Sequence, residues 1–489
     1  MNNRIAFSAR SGRPVDLAVV DDRAGGKAIH VSGTASRSPG STRWRAVRRL
    51  LVLIVSCRGI AAETVPATEP TVCTVSNEQM RIDTSRARVV ANGTAWKIVA
   101  PMLDDNGDTS LPADFRRWWH FQIDGLDAVR GTTLIIEITN AGYDDVITPV
   151  WSLDAGHSYD RISGVVPHVA SGTHTFTIQT PVGIPSIRLA KYFPYTSEMQ
   201  DAFRASLAGL DVVRDEVIGR SCEGRDITML TLTDTSVPDL GKRRVWIQSA
   251  VHPGETPAIF ACEGLVSWFV GGGEARAALE EMIVNVVLLP NPDGIALGNY
   301  RTTAKGVNLE VQWSAPYDSE VPEIVALRST IERFMGTPTA PAGSPICLLL
   351  NLHASHGGGH PFHFVHKPSY PPTGVIPEVR ELEDHWVATF KRRSAFGALR
   401  ETDPESTLAG RGYLESMMHD RYTLQSPWAP VMAITFEGTY EEGPTPGVPN
   451  SPADYRRLGA ELAAAIVDTV RENSAADTFG TSSEAVSER

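Results

Sequence analysis

Four polar residues with metal-binding and acid–base side chains stand far apart in this sequence of 489 residues. His252 and Glu255 are three residues apart, whereas His353 and Glu437 follow about 100 and 185 residues later. Two imidazoles and one carboxylate are the ligands of a catalytic zinc site, which keeps its fourth tetrahedral position for water. We predict that His252, Glu255 and His353 hold one Zn²⁺ ion per chain. Glu437 is then the carboxylate that takes a proton from the water and passes it to the leaving group.

Each of these residues follows a short run that is predicted to be a strand. The runs are apolar on both faces and alternate with helical stretches, which indicates an open, mostly parallel mixed sheet with helices on both faces. Such a sheet binds ligands beyond the carboxyl ends of its strands, so we expect the four residues to meet at that edge. A helix is predicted from Pro257 to Val270, directly after Glu255. The predicted strands are Arg244–Ile247, Ile283–Leu289, Ile346–Leu350 and Val431–Ile434.

A series of short motifs accompanies these residues. In chain order they are Ile218–Ile227, His252–Glu255, Asn291–Gly294, Asn299–Arg301 and Val321–Ile324, preceded by Ala190–Tyr195 and followed by His353 and Glu437. Together they resemble the zinc carboxypeptidases, and most closely the cytosolic carboxypeptidase-like branch, in which a β-sandwich domain precedes the catalytic domain.

The resemblance covers about residues 110 to 470. It implies an open, mixed, eight-stranded α/β sheet and a peptidase activity. Carried over residue by residue, it gives the zinc to His252, Glu255 and His353, and general base and acid catalysis to Glu437. It also implies that Arg301 stabilises the oxyanion of the tetrahedral intermediate, which requires a fixed cation.

One motif departs from the family pattern. Where the family has Asp or Asn followed by Leu-Asn-Arg-x-Trp, this chain reads Asn308-Leu309-Glu310-Val311-Gln312-Trp313. Glu310 and Val311 therefore replace the asparagine and arginine that hold the C-terminal carboxylate of the substrate. Arginine binds a carboxylate through a bidentate fork, whereas valine donates nothing. We predict a carboxypeptidase-type hydrolase with altered carboxylate recognition, in which Asn308, Glu310 and Val311 line the substrate site.

Two other functions stay open. The first is a deacylase or amidase acting on substrates without a free C-terminal carboxylate, in which Glu310 attracts a basic or amino group. The second is a catalytically inactive zinc-binding protein. The tyrosine that contacts substrate in the family has three candidates, Tyr413, Tyr422 and Tyr440.

Composition and pattern divide the chain into five segments. We predict a basic leader (1–62), a linker (63–78), an antiparallel β-sandwich (79–195) in which nothing gathers chemistry, a catalytic domain (196–475) and a disordered tail (476–489). Residues 1–62 contain 11 basic and 3 acidic residues, so the net charge of −12 leaves about −20 on the remainder. A surface this acidic repels phosphate backbones, which argues against nucleic acid as a partner. The resemblance to the zinc carboxypeptidases implies a peptide or another amide as the substrate.

The leader has the parts of a bacterial signal segment. The basic cluster Arg43–Arg49 precedes the apolar run Leu50–Val55, and small residues end at Ala62. We therefore predict a periplasmic or secreted protein, with a cytoplasmic location as the alternative. Cys57 also fits a site of lipid attachment. No segment is apolar for long enough to form a transmembrane helix.

Overall fold

The computed structural model describes the backbone of residues 17–21, 27–31, 69–75, 78–355, 365–366, 375–395, 412–425, 427–445 and 447–484. Side chains are described for the same residues except 17–21, 27–31, 365–366 and 473–484. The basic cluster, the apolar run and Cys57 of the predicted leader lie outside these residues. The signal segment and the lipid anchor therefore stay predictions.

The chain forms two compact units, residues 1–65 and 66–489. The described part of the first unit is an antiparallel pair of strands, β1 (Leu17–Asp21) and β2 (Lys27–Val31). All other elements belong to the second unit.

The first part of the second unit is a sandwich of two five-stranded sheets. Its strands are β3 (Thr71–Cys73), β4 (Arg88–Asn92), β5 (Ala95–Pro101), β6 (His120–Asp124), β7 (Thr133–Thr139), β8 (Val150–Ser152), β9 (Asp160–Arg161), β10 (His168–Ala170), β11 (Thr173–Gln179) and β12 (Ser186–Ala190). The sheets have the strand orders β10-β11-β7-β5-β4 and β3-β6-β12-β8-β9, and only the β5–β7 pair is parallel. Strand β7 shows why the segment folds this way, since Leu134, Ile136 and Ile138 are buried and the residues between them are half-buried.

The rest of the unit alternates helices and strands. Its elements are α1 (Ser197–Ser206), β13 (Val213–Arg220), β14 (Asp226–Leu232), β15 (Arg243–Ser249), α2 (Thr256–Val270), α3 (Glu274–Ala278), β16 (Met282–Val287), α4 (Pro292–Leu297), α5 (Pro322–Met335), β17 (Gly336–Thr337), β18 (Ala340–Pro341), β19 (Ile346–Ser355), β20 (Val365–His366), α6 (Pro377–Arg393), α7 (Leu414–Met418), β21 (Met432–Thr439) and α8 (Pro452–Glu484). Helix α8 continues past residue 475, where we placed the end of the catalytic domain.

The central sheet of this part is mixed. Its strand order in the described residues is β13-β14-β16-β15-β19-β21-β20, seven strands where the resemblance implies eight. The four central strands β16, β15, β19 and β21 are parallel, and the outer strands are antiparallel to their neighbours. The predicted fold class, a mixed α/β sheet preceded by antiparallel sheets, is confirmed.

Helices cover both faces of the central sheet. On β15, Val245 and Ile247 pack into an apolar cluster that includes α2 and α8, whereas Trp246 packs on the opposite face with Leu327 of α5. Burial on both faces explains why this strand reads as a continuous apolar run.

The sandwich and the α/β part share one core. Trp118 and Tyr192, which flank sandwich strands, belong to the same apolar cluster as Ile259 of α2. The predicted boundary at residue 195 therefore crosses a continuous core within the second unit. No helix in the described part of the chain combines the length and apolar content needed to span a membrane.

Candidate metal and catalytic site

His252 and Glu255 lie on the turn that joins β15 to α2. Ala250 has a positive φ of 50° in this turn, and Glu255 directly precedes the helix. Glycine is required at 254, because a Cβ there would lie 2.6 Å from the ring of Tyr300. The amide of Gly254 donates a 2.9 Å hydrogen bond to the carbonyl of Tyr300. The turn therefore holds His252 and Glu255 against the loop that carries Tyr300.

His353 and Glu437 lie opposite each other on the adjacent parallel strands β19 and β21. Side chains at opposite positions of paired strands share one face of the sheet. Strand β19 continues to Ser355, five residues beyond its predicted end at Leu350, so His353 lies within the strand.

Three buried side chains converge at the carboxyl end of the sheet. The Nδ1 atoms of His252 and His353 are 3.1 Å apart. One carboxylate oxygen of Glu255 lies 2.9 Å from Nδ1 of His252, and the other lies 2.9 Å from Nδ1 of His353. Their ligand atoms all lie within 4.8 Å of one another. This set of two ring nitrogens and a carboxylate fits a zinc ion bound by three protein ligands, although their role as ligands stays a prediction.

A second group of metal-binding side-chain types, Cys222, Asp293 and Glu323, contains one carboxylate that is already paired with several donors. The carboxylate of Asp293 accepts hydrogen bonds from Ser221 Oγ at 2.6 Å, from Cys222 Sγ at 3.2 Å and from Arg225 Nη1 at 2.7 Å. A paired carboxylate with this many donors has a structural role.

The carboxyl group of Glu437 is close to other charges. It is 9% exposed, and burial raises its pKa well above the ordinary value, with the carboxylates of Glu255 and Glu310 adding to the rise. The guanidinium groups of Arg301 and Arg117 oppose this rise in pKa. A carboxyl group with a raised pKa, lying beside a metal site, suits a general base that later acts as an acid.

Arg301 is fixed through its backbone by the sandwich. The carboxylate of Asp105, in the segment between β5 and β6, accepts hydrogen bonds from the backbone amides of Tyr300, Arg301 and Thr302 at 2.7, 2.8 and 2.8 Å. Asp105 is 3% exposed, so these bonds are shielded from water. The loop that carries Arg301 therefore depends on a residue almost 200 positions upstream.

The carboxylate of Glu310 is paired with other side chains of the protein and is not open to solvent. One of its carboxylate oxygens lies 3.0 Å from Nη2 of Arg301 and 3.2 Å from Nε2 of His252. Its backbone amide donates to Oδ1 of Asn308 at 3.0 Å, within the one-turn helix Leu309–Val311. The predicted role of Glu310, attraction of an amino group of the substrate, does not match this arrangement, because two cationic or donor groups already occupy the carboxylate.

Arg117 brings a second guanidinium to the site from the sandwich. Its guanidinium carbon lies 3.9 Å from the ring centre of Tyr143 and 5.7 Å from that of Tyr300. Its Nε donates to the carbonyl of Asp114 at 2.9 Å. Among the described residues, neither of the two terminal nitrogens of Arg117 makes a hydrogen bond or a salt bridge. The side chain is half-buried, and its guanidinium lies near the rings of both tyrosines.

The sandwich was expected to gather no chemistry, and that expectation is wrong. Asp105 holds the backbone of the loop that carries Arg301, and the guanidinium of Arg117 lies 5.7 Å from the ring centre of Tyr300 in the same loop. Neither has a sequence signal that points to the site, because the alternating pattern of the segment describes only its strands.

The three candidate tyrosines have different environments. Tyr440 is buried, stacks on Tyr192 with ring centres 4.4 Å apart and has its hydroxyl 2.8 Å from that of Tyr300. Tyr422 packs edge-on against Trp428. Tyr413 directly precedes α7. The identity of the tyrosine that contacts substrate therefore stays open.

Comparisons with known proteins agree with the resemblance seen in the sequence. Residues 205–333 match the model of the zinc carboxypeptidase family. This range contains His252, Glu255, Arg301 and Glu310. Cytosolic carboxypeptidase 6 of Mus musculus is 25% identical over 295 residues, which cover 59% of this chain and 52% of that protein. The protein of that name from Homo sapiens is 25% identical over 58% of this chain and 56% of its own length. The chain thus spans little more than half the length of these relatives.

Solved structures show the same fold. A metallo-carboxypeptidase from Burkholderia cenocepacia superimposes with a TM-score of 0.65 at 23% identity, covering 84% of this chain and 100% of that one. A metallo-carboxypeptidase from Pseudomonas aeruginosa gives a TM-score of 0.65 at 21% identity, covering 82% and 99%. Coverage of this extent includes part of the sandwich as well as the α/β part.

Proposed function

We propose that this chain, whose residues 205–333 carry the zinc carboxypeptidase match, is a zinc-dependent hydrolase that cleaves peptide or other amide bonds. The observation that carries the proposal is the convergence of His252, Glu255 and His353 within 4.8 Å, with Glu437 opposite His353 on the adjacent strand. We assign one zinc ion to these three ligands.

The geometry supports a different role for each of these groups in the reaction. When bound, zinc supplies a Lewis acid that polarises the scissile carbonyl and lowers the pKa of a water molecule. The carboxylate of Glu437 accepts the proton of the attacking water and delivers it to the leaving nitrogen. The guanidinium of Arg301, held by the backbone contacts of Asp105, donates to the oxygen on which negative charge develops.

Recognition of the substrate's C-terminus is the altered part of the site. Val311 offers no donor, and Glu310 is engaged with Arg301 and His252. Arg117, with its partly exposed fork, is the cation that we assign to a carboxylate of the substrate. The first alternative, a deacylase or amidase, is favoured by the replacement of arginine by Val311.

Two peptides that differ only in a free or an amidated C-terminus distinguish the carboxypeptidase from the deacylase or amidase. We expect the peptide with a free C-terminal carboxylate to be cleaved with a higher kcat/KM than its amidated form. Loss of a hydrogen bond to a charged group costs about 1.5–3 kcal/mol, so Arg117→Gln should lower kcat/KM for the free form roughly 10- to 100-fold and leave the amidated form unchanged. Arg130→Gln, at an exposed arginine paired with Asp127 elsewhere on the sandwich, is the control. Equal cleavage of both peptides by the parent would favour the amidase.

The second alternative is a protein that binds zinc without turnover. Glu437→Gln retains the shape of the site and all three proposed ligands but cannot accept a proton. We expect this variant to lose hydrolysis while binding zinc as tightly as the parent. A parent with no more hydrolytic activity than Glu437→Gln on any peptide or amide would support the binding protein.

Both relatives are named as cytosolic proteins, which is relevant to the cellular location of this chain. They favour the cytoplasmic alternative over the periplasmic or secreted location that the basic leader suggests. Fractionation of cells that produce the full chain would decide between them.

A further inference from the structure

The carboxylate of Glu310 bridges two groups that the proposed reaction uses. The same oxygen, Oε2, lies 3.2 Å from Nε2 of His252 and 3.0 Å from Nη2 of Arg301. Glu310 is only 9% exposed, so the contact is largely shielded from water. A single acidic side chain therefore connects a proposed metal ligand to the proposed oxyanion donor.

The orientation of the His252 ring shows what the first contact does. Its Nδ1 faces Glu255 and His353, on the side where the zinc ligands converge. An imidazole that binds a metal through one nitrogen carries its proton on the other. Nε2 of His252 must then be a donor, and a metal-bound histidine is oriented and made more basic when that donor meets a carboxylate.

Two acceptors face this donor at the same distance. Oδ1 of Asn308 and Oε2 of Glu310 each lie 3.2 Å from Nε2 of His252. Asn308 is a neutral amide whose oxygen makes the hydrogen bond with Nε2, whereas Glu310 faces the same nitrogen with a carboxylate. A charged acceptor binds a donor more strongly than a neutral one. Asn308 Oδ1 also accepts the backbone amide of Glu310 at 3.0 Å, which fixes the position of the carboxylate.

The second contact of Glu310 fixes the side chain of Arg301. The backbone amide of Arg301 is held by Asp105, but that bond does not set the direction of its long side chain. The ion pair with Glu310 does so, and burial protects the pair from screening by solvent. The guanidinium has other donors, which stay available to an oxyanion because arginine has five.

We propose that Glu310 is a positioning residue that orients His252 toward zinc and Arg301 toward the oxyanion, and that it does not recognise an amino group of the substrate. This inference rests on the proposed function. It assigns a role to the glutamate at the position where the family pattern has asparagine.

Zinc affinity tests the first role without measuring catalysis. Loss of an outer-shell partner of a metal ligand typically weakens metal binding 10- to 100-fold. We therefore expect Glu310→Gln to weaken Zn²⁺ binding by about this factor in competition with a chromophoric chelator. Glu263→Gln is the matched control, because Glu263 is also buried and paired with an arginine, Arg456, but contacts none of the site residues.

A double variant separates the two roles. Asn308→Asp combined with Glu310→Gln returns a carboxylate to the other position that is 3.2 Å from Nε2 of His252. We expect it to recover most of the zinc affinity but not kcat, because Arg301 still lacks its carboxylate partner. Measurements of kcat at saturating zinc therefore report the second role alone.

The outcomes are distinct. Unchanged zinc affinity in Glu310→Gln, with a higher KM only for substrates that carry an amino group, would overturn the inference in favour of substrate recognition. Failure of the double variant to recover affinity would overturn the role toward His252. A parent that binds no zinc would refute the proposed function itself, and this inference with it.

Discussion

The pKa of Glu437 depends on the charged side chains around it. Burial raises the pKa of Glu437, and the two neighbouring carboxylates of Glu255 and Glu310 raise it further. Arg301 opposes this effect and also pairs with Glu310. The site therefore needs its cations for structure as well as for the reaction.

Arg301→Gln should affect the chemical step more than binding. Removing one preorganised oxyanion donor typically lowers kcat by about 10²–10³, because the contact is strongest in the transition state. We expect a fall of this size in kcat for the free-carboxylate peptide, with KM changed much less. An increase in KM at unchanged kcat would instead make Arg301 a binding residue.

Single residues were predictable where a strand end fixed them. His252 and Glu255 follow β15, and His353 and Glu437 are opposite each other on β19 and β21, so the pattern of apolar runs was sufficient to bring them together. The environment of Glu310 was not predictable, because it depends on the side-chain directions of two residues on other segments.

At the scale of elements, a segment of the sandwich fixes a loop of the α/β part through hydrogen bonds. Asp105, between β5 and β6, accepts three backbone amides of the loop that carries Arg301. Leaving a buried donor without its acceptor costs about 1–3 kcal/mol. The loop should therefore lose its position when this carboxylate is changed.

Asp105→Asn tests this connection. We expect kcat to fall because Arg301 is displaced, while zinc affinity falls much less because Asp105 contacts none of the three proposed ligands. The neighbouring Asp104→Asn is the control, since Asp104 pairs with Arg116 at 2.6 Å and makes no contact with the Arg301 loop. Equal kcat values in the two variants would contradict the role of Asp105.

A buried histidine in β6 gives the sandwich a defined response to acid. His120 is 2% exposed, with Nε2 2.8 Å from the hydroxyl of Tyr159. Burial, assisted by Arg188, lowers the pKa of His120 to about 3. The unfolded chain has a histidine pKa of about 6.5, so between these values it binds more protons than the folded chain, and stability falls as the pH decreases.

His120→Gln should therefore reduce the acid sensitivity of unfolding. We expect the decrease in Tm between pH 7.5 and pH 5 to be smaller in His120→Gln than in the parent. His168→Gln, at an exposed histidine of the same sandwich, should behave as the parent does. An unchanged pH dependence in His120→Gln would show that other groups control it.

Element boundaries were predicted less well than element types. The apolar run Ile346–Leu350 marks only the part of β19 that is covered on both faces, whereas the strand continues through Asn351 and His353 to Ser355. The polar end of a central strand faces the site, so an apolar pattern ends before the strand does.

At the scale of the whole molecule, the second unit is more continuous than its sequence suggests. The alternating pattern of the sandwich and the helical pattern that follows it predict two domains. Within the described residues, however, the hydroxyl of Tyr192 donates to the carbonyl of Gly254 at 2.7 Å, and Gln79 donates to the carbonyl of Pro253. Sequence patterns report the period of each element but not the contacts between them, so this shared core could not be read from the chain alone.

The shared core predicts that the sandwich and the α/β part unfold together. A fragment that starts at residue 196 would expose the cluster that includes Ile259 and Phe260 and would lose Asp105, Arg117 and Tyr192. We expect the full chain to show one thermal transition, detected at the same temperature by far-ultraviolet circular dichroism and by tryptophan fluorescence. The fragment should lack both a cooperative transition and hydrolytic activity. Two separate transitions in the full chain, or a fragment that folds and retains the parent's kcat, would mean that the sandwich is an independent appendage and that the contacts to the Arg301 loop have no catalytic consequence.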